Sequence, residues 1–308
     1  MLSLSLEQLM IRHRVLTSLW PALAGTALSA CALAMPIRDD TAATLRLSAP
    51  AQRIVSLSPG TTEMLFAAGA GDRIVATVTG ADVPDAAKKI PRIGDANGLV
   101  FDRLIALKPD AVVVWKDLTN ELVLDSLVNK LKLNVYFVSI RRLEDIPQSV
   151  RRLGVLAGTS ATADDAAKTL EAQLAHLPTR AGVAKSARRP VDVFFMFLDS
   201  PLYTVGSRSA MADAITRCGG RNLYDDIDFP MPIVEFKDLK KRNPDLILMS
   251  APPITAREWR ERWAPFTDVK AVANRQLVAY PDQRLVRMGP SAIDAVPELC
   301  KLIDGARR

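Results

Sequence analysis

The stretch Thr162–Leu177, TADDAAKTLEAQLAHL, decides how this chain of 308 residues is organised. Its apolar positions Ala163, Ala166, Ala167, Leu170, Leu174 and Leu177 fall on one face of a helix. Thr162 is placed to cap that helix, with Asp164 and Asp165 in the first turn, where the helix dipole favours acid. Pro178 and Gly182 stop it. At 1.5 Å per residue the rod is about 24 Å long, enough to cross the face of a small domain. A strand–helix–strand series lies on each side, and the two series look alike. The spacing predicts a rigid spine between two lobes.

Before the spine, Arg53–Leu57 (RIVSL) reads as a strand, followed by a helix with Ser58 as N-cap and Pro59 at its first position. Gly69 and Gly71 close that helix rather than open one, so they are no dinucleotide fingerprint. Leu99–Leu107 reads as helix, Ala111–Trp115 (AVVVW) as a buried strand, Glu121–Leu131 as helix and Asn134–Val138 as strand, with Leu143–Ala157 completing the unit. After the spine, Val191–Leu198 restarts the pattern, and Ala210–Arg217 is a helix ended by Cys218-Gly219-Gly220. Phe101–Leu104 (FDRL) before Pro109-Asp110 is echoed by Phe236–Leu239 (FKDL) before Pro244-Asp245, and both copies run into apolar strands. This is either a duplicated unit or a common helix–turn–strand idiom arising twice. The expected fold class is α/β: two Rossmann-like lobes with mostly parallel sheets, joined by a single long helix. The boundaries are 51–160 for the N-terminal lobe, 161–189 for the linking helix and 190–308 for the C-terminal lobe.

Residues 1–34 read as an export signal, with basic Arg12-His13-Arg14 followed by the apolar run Val15–Ala34. Two processing sites compete. Leu28–Cys31 resembles a bacterial lipobox that would make Cys31 a lipidated first residue, and Ala32-Leu33-Ala34 is a cleavage site before Met35. Either way Cys218 and Cys300 remain, as one pair in an oxidising compartment or as two buried thiols. A bridge between them would be worth roughly 4–5 kcal/mol in the chain-entropy model. Net charge is +6, but the short basic groups are scattered and no aromatic ladder interleaves them, which argues against nucleic acid.

No catalytic constellation can be read from the sequence. His13 and His176 are the only histidines, so neither a His-based triad nor a zinc cluster can be assembled. Nucleophile-elbow, phosphate-loop and zinc-protease motifs are missing, and the pairs Asp164-Asp165 and Asp225-Asp226 are adjacent rather than convergent. Binding residues are expected at the carboxyl ends of the strands: Ser58, Thr61 and Thr62, then Trp115, Arg141 and Arg142, Asp199–Tyr203, and Arg284–Met288. An exposed Trp115 would stack on a large flat ligand; a buried one would only seal the sheet. Trp259, Trp263 and Phe266 have helical spacing and are expected to pack.

The segments 53–75 (RIVSLSPGTTEMLFAAGAGDRIV), 105–115 (IALKPDAVVVW) and 218–234 (CGGRNLYDDIDFPMPIV), with the helix around Cys300, resemble a known family. It is that of the periplasmic solute-binding proteins of the helical-backbone type, which serve ABC importers for cobalamin, ferric siderophores and haem. The resemblance spans most of residues 51–304 and is nearest to the cobalamin-binding members. It implies a periplasmic, monomeric receptor without catalysis, cofactor or metal, holding a small molecule between its lobes and docking on an ABC permease of the inner membrane. It also implies a disulfide between Cys218 and Cys300. The implied ligand set is Ser58, Thr61, Trp115, Tyr203, Arg208, Arg284 and Arg287. For permease docking, Glu121 matches the first-lobe acidic residue. Lys237 stands at the second-lobe position, leaving Glu235 or Asp238 as the substitute. Gly80, Val83, Ala96 and Met231 stand where cobalamin-binding members have aromatics, while Trp115 and Tyr203 keep aromatic positions. With the arginines near the cleft, that departure makes a ferric siderophore the alternative ligand. Haem would lack an axial His or Tyr. An exported α/β enzyme and a lipoprotein that only senses or scaffolds are the readings from other classes.

Overall fold

A computed structural model describes residues 35–95, 98–179, 182 and 189–307. The export segment 1–34 with Cys31, Ala96, and most of the expected linker beyond Thr179 lie outside them. Among the described residues no helix is long and apolar enough to cross a membrane.

The first lobe is built on four parallel strands in spatial order Ile74–Ala76, Ile54–Ser56, Ala111–Trp115, Val135–Val138. The second has Gly220–Asn222, Val191–Met196, Leu246–Met249, Leu277–Ala279, again all parallel. In each sheet the first strand in sequence has the second on one side and the third and fourth on the other. This shared wiring agrees with the FDRL/FKDL echo. Uniformly apolar strands such as Ala111–Trp115 and Leu246–Met249, buried along their whole length, are what a sheet covered on both faces requires.

Ser58 caps the Pro59–Ala67 helix as expected, its hydroxyl accepting the Thr61 N–H at 3.1 Å. The spine helix runs over Ser160–Ala175, earlier than predicted. Thr159, not Thr162, holds the cap position, and its hydroxyl donates to the Ala68 carbonyl at 2.6 Å instead of capping. Gly158, at φ +69°, ends the Asp145–Ala157 helix and lets the next one start at once. Asp164 therefore misses the first turn and pairs with Arg151 at 2.8 Å. The spine packs along the Asp145–Ala157 helix and reaches the last helix, Ser291–Gly305, through Gln173 Nε2 and Asp294 at 3.2 Å.

Further departures are local. Leu99 belongs to a small hairpin with Gly94–Asp95, so the next helix starts at Phe101. The strand from Val191 ends at Met196, and Leu198–Asp199 turns into an antiparallel lip with Leu202–Tyr203 and Ile233–Val234. An N-terminal hairpin, Met35–Arg38 with Thr44–Leu47, precedes the first lobe. Cys218 and Cys300 are bonded, joining the end of the Ala210–Arg217 helix to the last helix with Cα atoms 4.5 Å apart. One apolar cluster runs through both lobes, including Ile54 and Trp115 of the first, Leu170 of the spine, and Val193 and Leu299 of the second. Lobes that share a core resist wide opening.

Candidate functional site

Between the lobes, at the carboxyl ends of the strands, lies an open cleft of about 800 Å³. Its first-lobe wall is the segment directly after the third strand, Lys116 to Glu121; its second-lobe wall is Tyr203, Arg208 and Phe229 to Met231. Open α/β sheets bind ligands in this position, because strand ends and the loops leaving them converge there.

The walls are apolar surfaces set around paired charges. Leu118 is 40% and Phe229 49% exposed, both facing the cavity rather than core. Arg208 Nη2 meets Asp117 at 2.7 Å across the lobes, and the Ser139 hydroxyl donates to the other Asp117 oxygen at 2.5 Å. Asp228 stands 3.9 Å from the Arg208 Nε. Lys116 faces Glu121 at 3.7 Å and lies over the Phe137 ring. Such a surface suits a large, partly apolar ligand better than a bare anion, since each cation at the wall already has a carboxylate.

The expected ligand residues divide. Tyr203 and Arg208 line the cleft. Trp115 does not present a stacking face: it is 3% exposed and packs in the core beside Gly60. Thr61 is fully buried, its hydroxyl tied to Ser56 and Ser58 in a hydroxyl cluster that also includes Thr62 and Thr77. Ser58 serves as the helix cap. Arg284 folds back onto the Asp282 carboxylate, which holds that carboxyl below its usual range. Arg287 packs against the first lobe near Glu63, outside the cavity wall. Sequence reasoning missed Asp117, Leu118 and Phe229. The signal for two of them was their place just after the Ala111–Trp115 strand, and Phe229 opens the Pro-rich run Phe229–Pro232.

Phe236–Arg242 and Phe101–Ala106 are equivalent helices, each leading into the third strand of its sheet, so Lys237 and Asp102 hold equivalent places in the two lobes. Glu121 starts a later helix at the cleft rim, exposed beside Leu122. Glu235 is exposed, whereas Asp238 is engaged by Arg242 at 2.8 Å. Trp259 and Trp263 are buried and Phe266 packs on both Phe236 and Trp263, as the spacing predicted. Among the described residues no group of acidic, His or Cys side chains is arranged to hold a metal ion.

Residues 54–284 match the periplasmic binding protein family. The vitamin B12-binding protein of Pectobacterium atrosepticum is 27% identical over 250 residues, covering 81% of this chain and 87% of that protein. Its counterpart in Vibrio campbellii is 26% identical, covering 84% and 92%. Among solved structures, the periplasmic vitamin B12 binding protein BtuF of Vibrio cholerae superposes with a TM-score of 0.70 at 25% identity, covering 84% of this chain and 99% of that one. The periplasmic heme-binding protein RhuT from Roseiflexus matches with a TM-score of 0.69 at 22% identity, covering 83% and 99%, a likeness of fold alone. A two-lobed α/β body, a cleft at the strand ends and this coverage lead to one conclusion: the chain belongs to the periplasmic binding protein family and is a solute-binding protein, not an enzyme.

Proposed function

We propose that the chain captures a cobalamin-class ligand in the interlobe cleft and delivers it to the permease of an ABC importer. The observation that carries this reading is the cleft wall itself. Leu118 and Phe229 offer apolar surface while Asp117 and Arg208 neutralise each other, in a chain whose relatives are named for vitamin B12. Tyr203 and Arg208 stay in the ligand set, joined by Leu118 and Phe229; Trp115 and Thr61 leave it because they are buried. Arg284 folds onto Asp282 and Arg287 lies near Glu63, both off the cleft wall, which counts against the ferric-siderophore alternative. For docking, the reading assigns Asp102 on the first lobe, with Glu235 beside Lys237 on the second.

Calorimetric titration of the mature chain with cyanocobalamin, then with ferric siderophores and haemin, tests the ligand. Saturable one-to-one cobalamin binding is expected. Binding of a siderophore or haemin in its place would overturn the cobalamin assignment.

A further inference from the structure

Glu63 belongs to the first-lobe helix Pro59–Ala67, yet its side chain ends in the second lobe and is only 6% exposed. One carboxylate oxygen accepts the backbone N–H of Ser291, the first residue of the last helix, at 3.2 Å. The other stands 3.9 Å from the Arg287 Nε. That second oxygen, the Arg287 Nε and the Ser291 hydroxyl are all buried without a hydrogen-bond partner among the described residues.

Two glycines make the fit. A Cβ at Gly60 would stand 2.1 Å from the Arg287 carbonyl oxygen, and one at Gly289 would stand 2.3 Å from the Glu63 carboxylate. No side chain fits at Gly60 without moving the lobes apart, and one at Gly289 would displace the Glu63 carboxylate. The contact is therefore a plug seated in a socket, unlike an exposed ion pair that side-chain motion can remake.

The charged groups acting on Glu63 come from the second lobe: Arg287 attracts the carboxylate and Asp294 repels it. The Asp145–Ala157 and Ser160–Ala175 helices, also packed on the Pro59–Ala67 helix, meet it in the shared apolar cluster. Burial is the largest influence and outweighs the help of Ser291 and Arg287, so the carboxyl is held above the usual range. Opening the lobes would return water to the group and lower its proton affinity. Docking thus takes up a proton, and acid favours the docked arrangement; as pH rises through the docked value, that advantage is lost.

We propose that Glu63 is a positioning residue for the ligand cleft, a proton-linked clasp that sets the spacing of the two lobes and seats more firmly at acidic pH. Its link to ligand capture rests on the cleft reading above; the clasp itself does not.

The test uses ligand-free protein carrying Lys130→Cys and Lys241→Cys, one exposed spin label per lobe, with pulsed dipolar distances recorded at about pH 7.5 and about pH 5. The wild-type background is expected to lose its longer-distance component on acidification. Glu63→Gln, which keeps the shape but cannot ionise, should show the docked distance at both pH values. Glu63→Ala should enlarge the longer component at both. A wild-type distribution that does not change with pH, or a Glu63→Gln protein that still responds to it, would overturn the proposal. Cobalamin binding does not enter this measurement, so failure of the ligand reading and failure of the clasp are separable.

Discussion

Asp117 and Arg208 come from different lobes and meet at 2.7 Å on the wall of the cleft, with Ser139 holding the far side of the carboxylate. Their side chains are 11% and 30% exposed, so the pair is partly desolvated and removal of one partner strands the other. A double-mutant cycle of Asp117→Ala and Arg208→Ala, read by urea melts, is expected to give a coupling of roughly 1–2 kcal/mol. Additive effects would mean that the pair does not link the lobes.

Phe229→Ala is expected to weaken cobalamin binding about tenfold, and Leu118→Ala less, with little change in melting temperature. Both side chains are substantially exposed in the free protein, so truncation costs contact with ligand rather than core. Calorimetry on each variant checks this; unchanged affinity in both would remove that wall from the site.

Trp115→Ala carries the opposite expectation. At 3% exposure within the core shared by the lobes, the indole fills space that would become a cavity, costing roughly 3–5 kcal/mol of stability. A denaturant midpoint close to wild type would show that the ring is not a packing element.

The Cys218–Cys300 bond closes a separation of 82 residues. Serine at both positions is expected to lower stability by about 2–5 kcal/mol, seen as a lower melting temperature that a reducing agent no longer changes. If the wild-type melting point is equally insensitive to reductant, the bond contributes little.

Asp102→Ala is expected to leave ligand affinity intact while slowing uptake by cells, because it sits on an exposed helix away from the cleft. Glu121→Ala, at the cleft rim, should affect binding instead. Uptake assays paired with calorimetry distinguish the two, and normal transport by the Asp102 variant would end its docking role.

What could be read from the chain was whatever local chemistry decides. Ser58-Pro59 start a helix wherever they lie, the run AVVVW belongs inside a parallel sheet, and Gly219 ends the Ala210–Arg217 helix because it takes φ +74°. Thr162 was misplaced because Thr159, Ser160 and Thr162 all have capping chemistry, and the choice among them falls to the contact between Thr159 and Ala68. Trp115 could not be resolved from its neighbours in sequence. Its burial depends on Gly60 and on the second-lobe segment at Arg287, which presses against the same spot. Asp117 had only its place after a strand to mark it and Phe229 only its Pro-rich run; that the two share one cavity follows from the meeting of two distant loops. The equivalence of Asp102 and Lys237 was hidden for a similar reason, since correspondence between the lobes is a matter of sheet wiring, not of distance from a tryptophan.

The N-terminal hairpin has an effect beyond its own strands. Val135–Val138 is the outermost strand of the first sheet, and its free edge would otherwise offer a row of unpaired amides. The hairpin turn occupies that row: Asp40 N–H donates to the Phe137 carbonyl at 3.1 Å, while the carboxylates of Asp39 and Asp40 accept the N–H groups of Phe137 and Ser139 at 3.3 and 3.2 Å. Ser149 and Arg152 fasten Asp40 from the helix behind. A blunted edge cannot template a strand from another chain, so this short arm protects the protein from edge-to-edge aggregation in a crowded compartment.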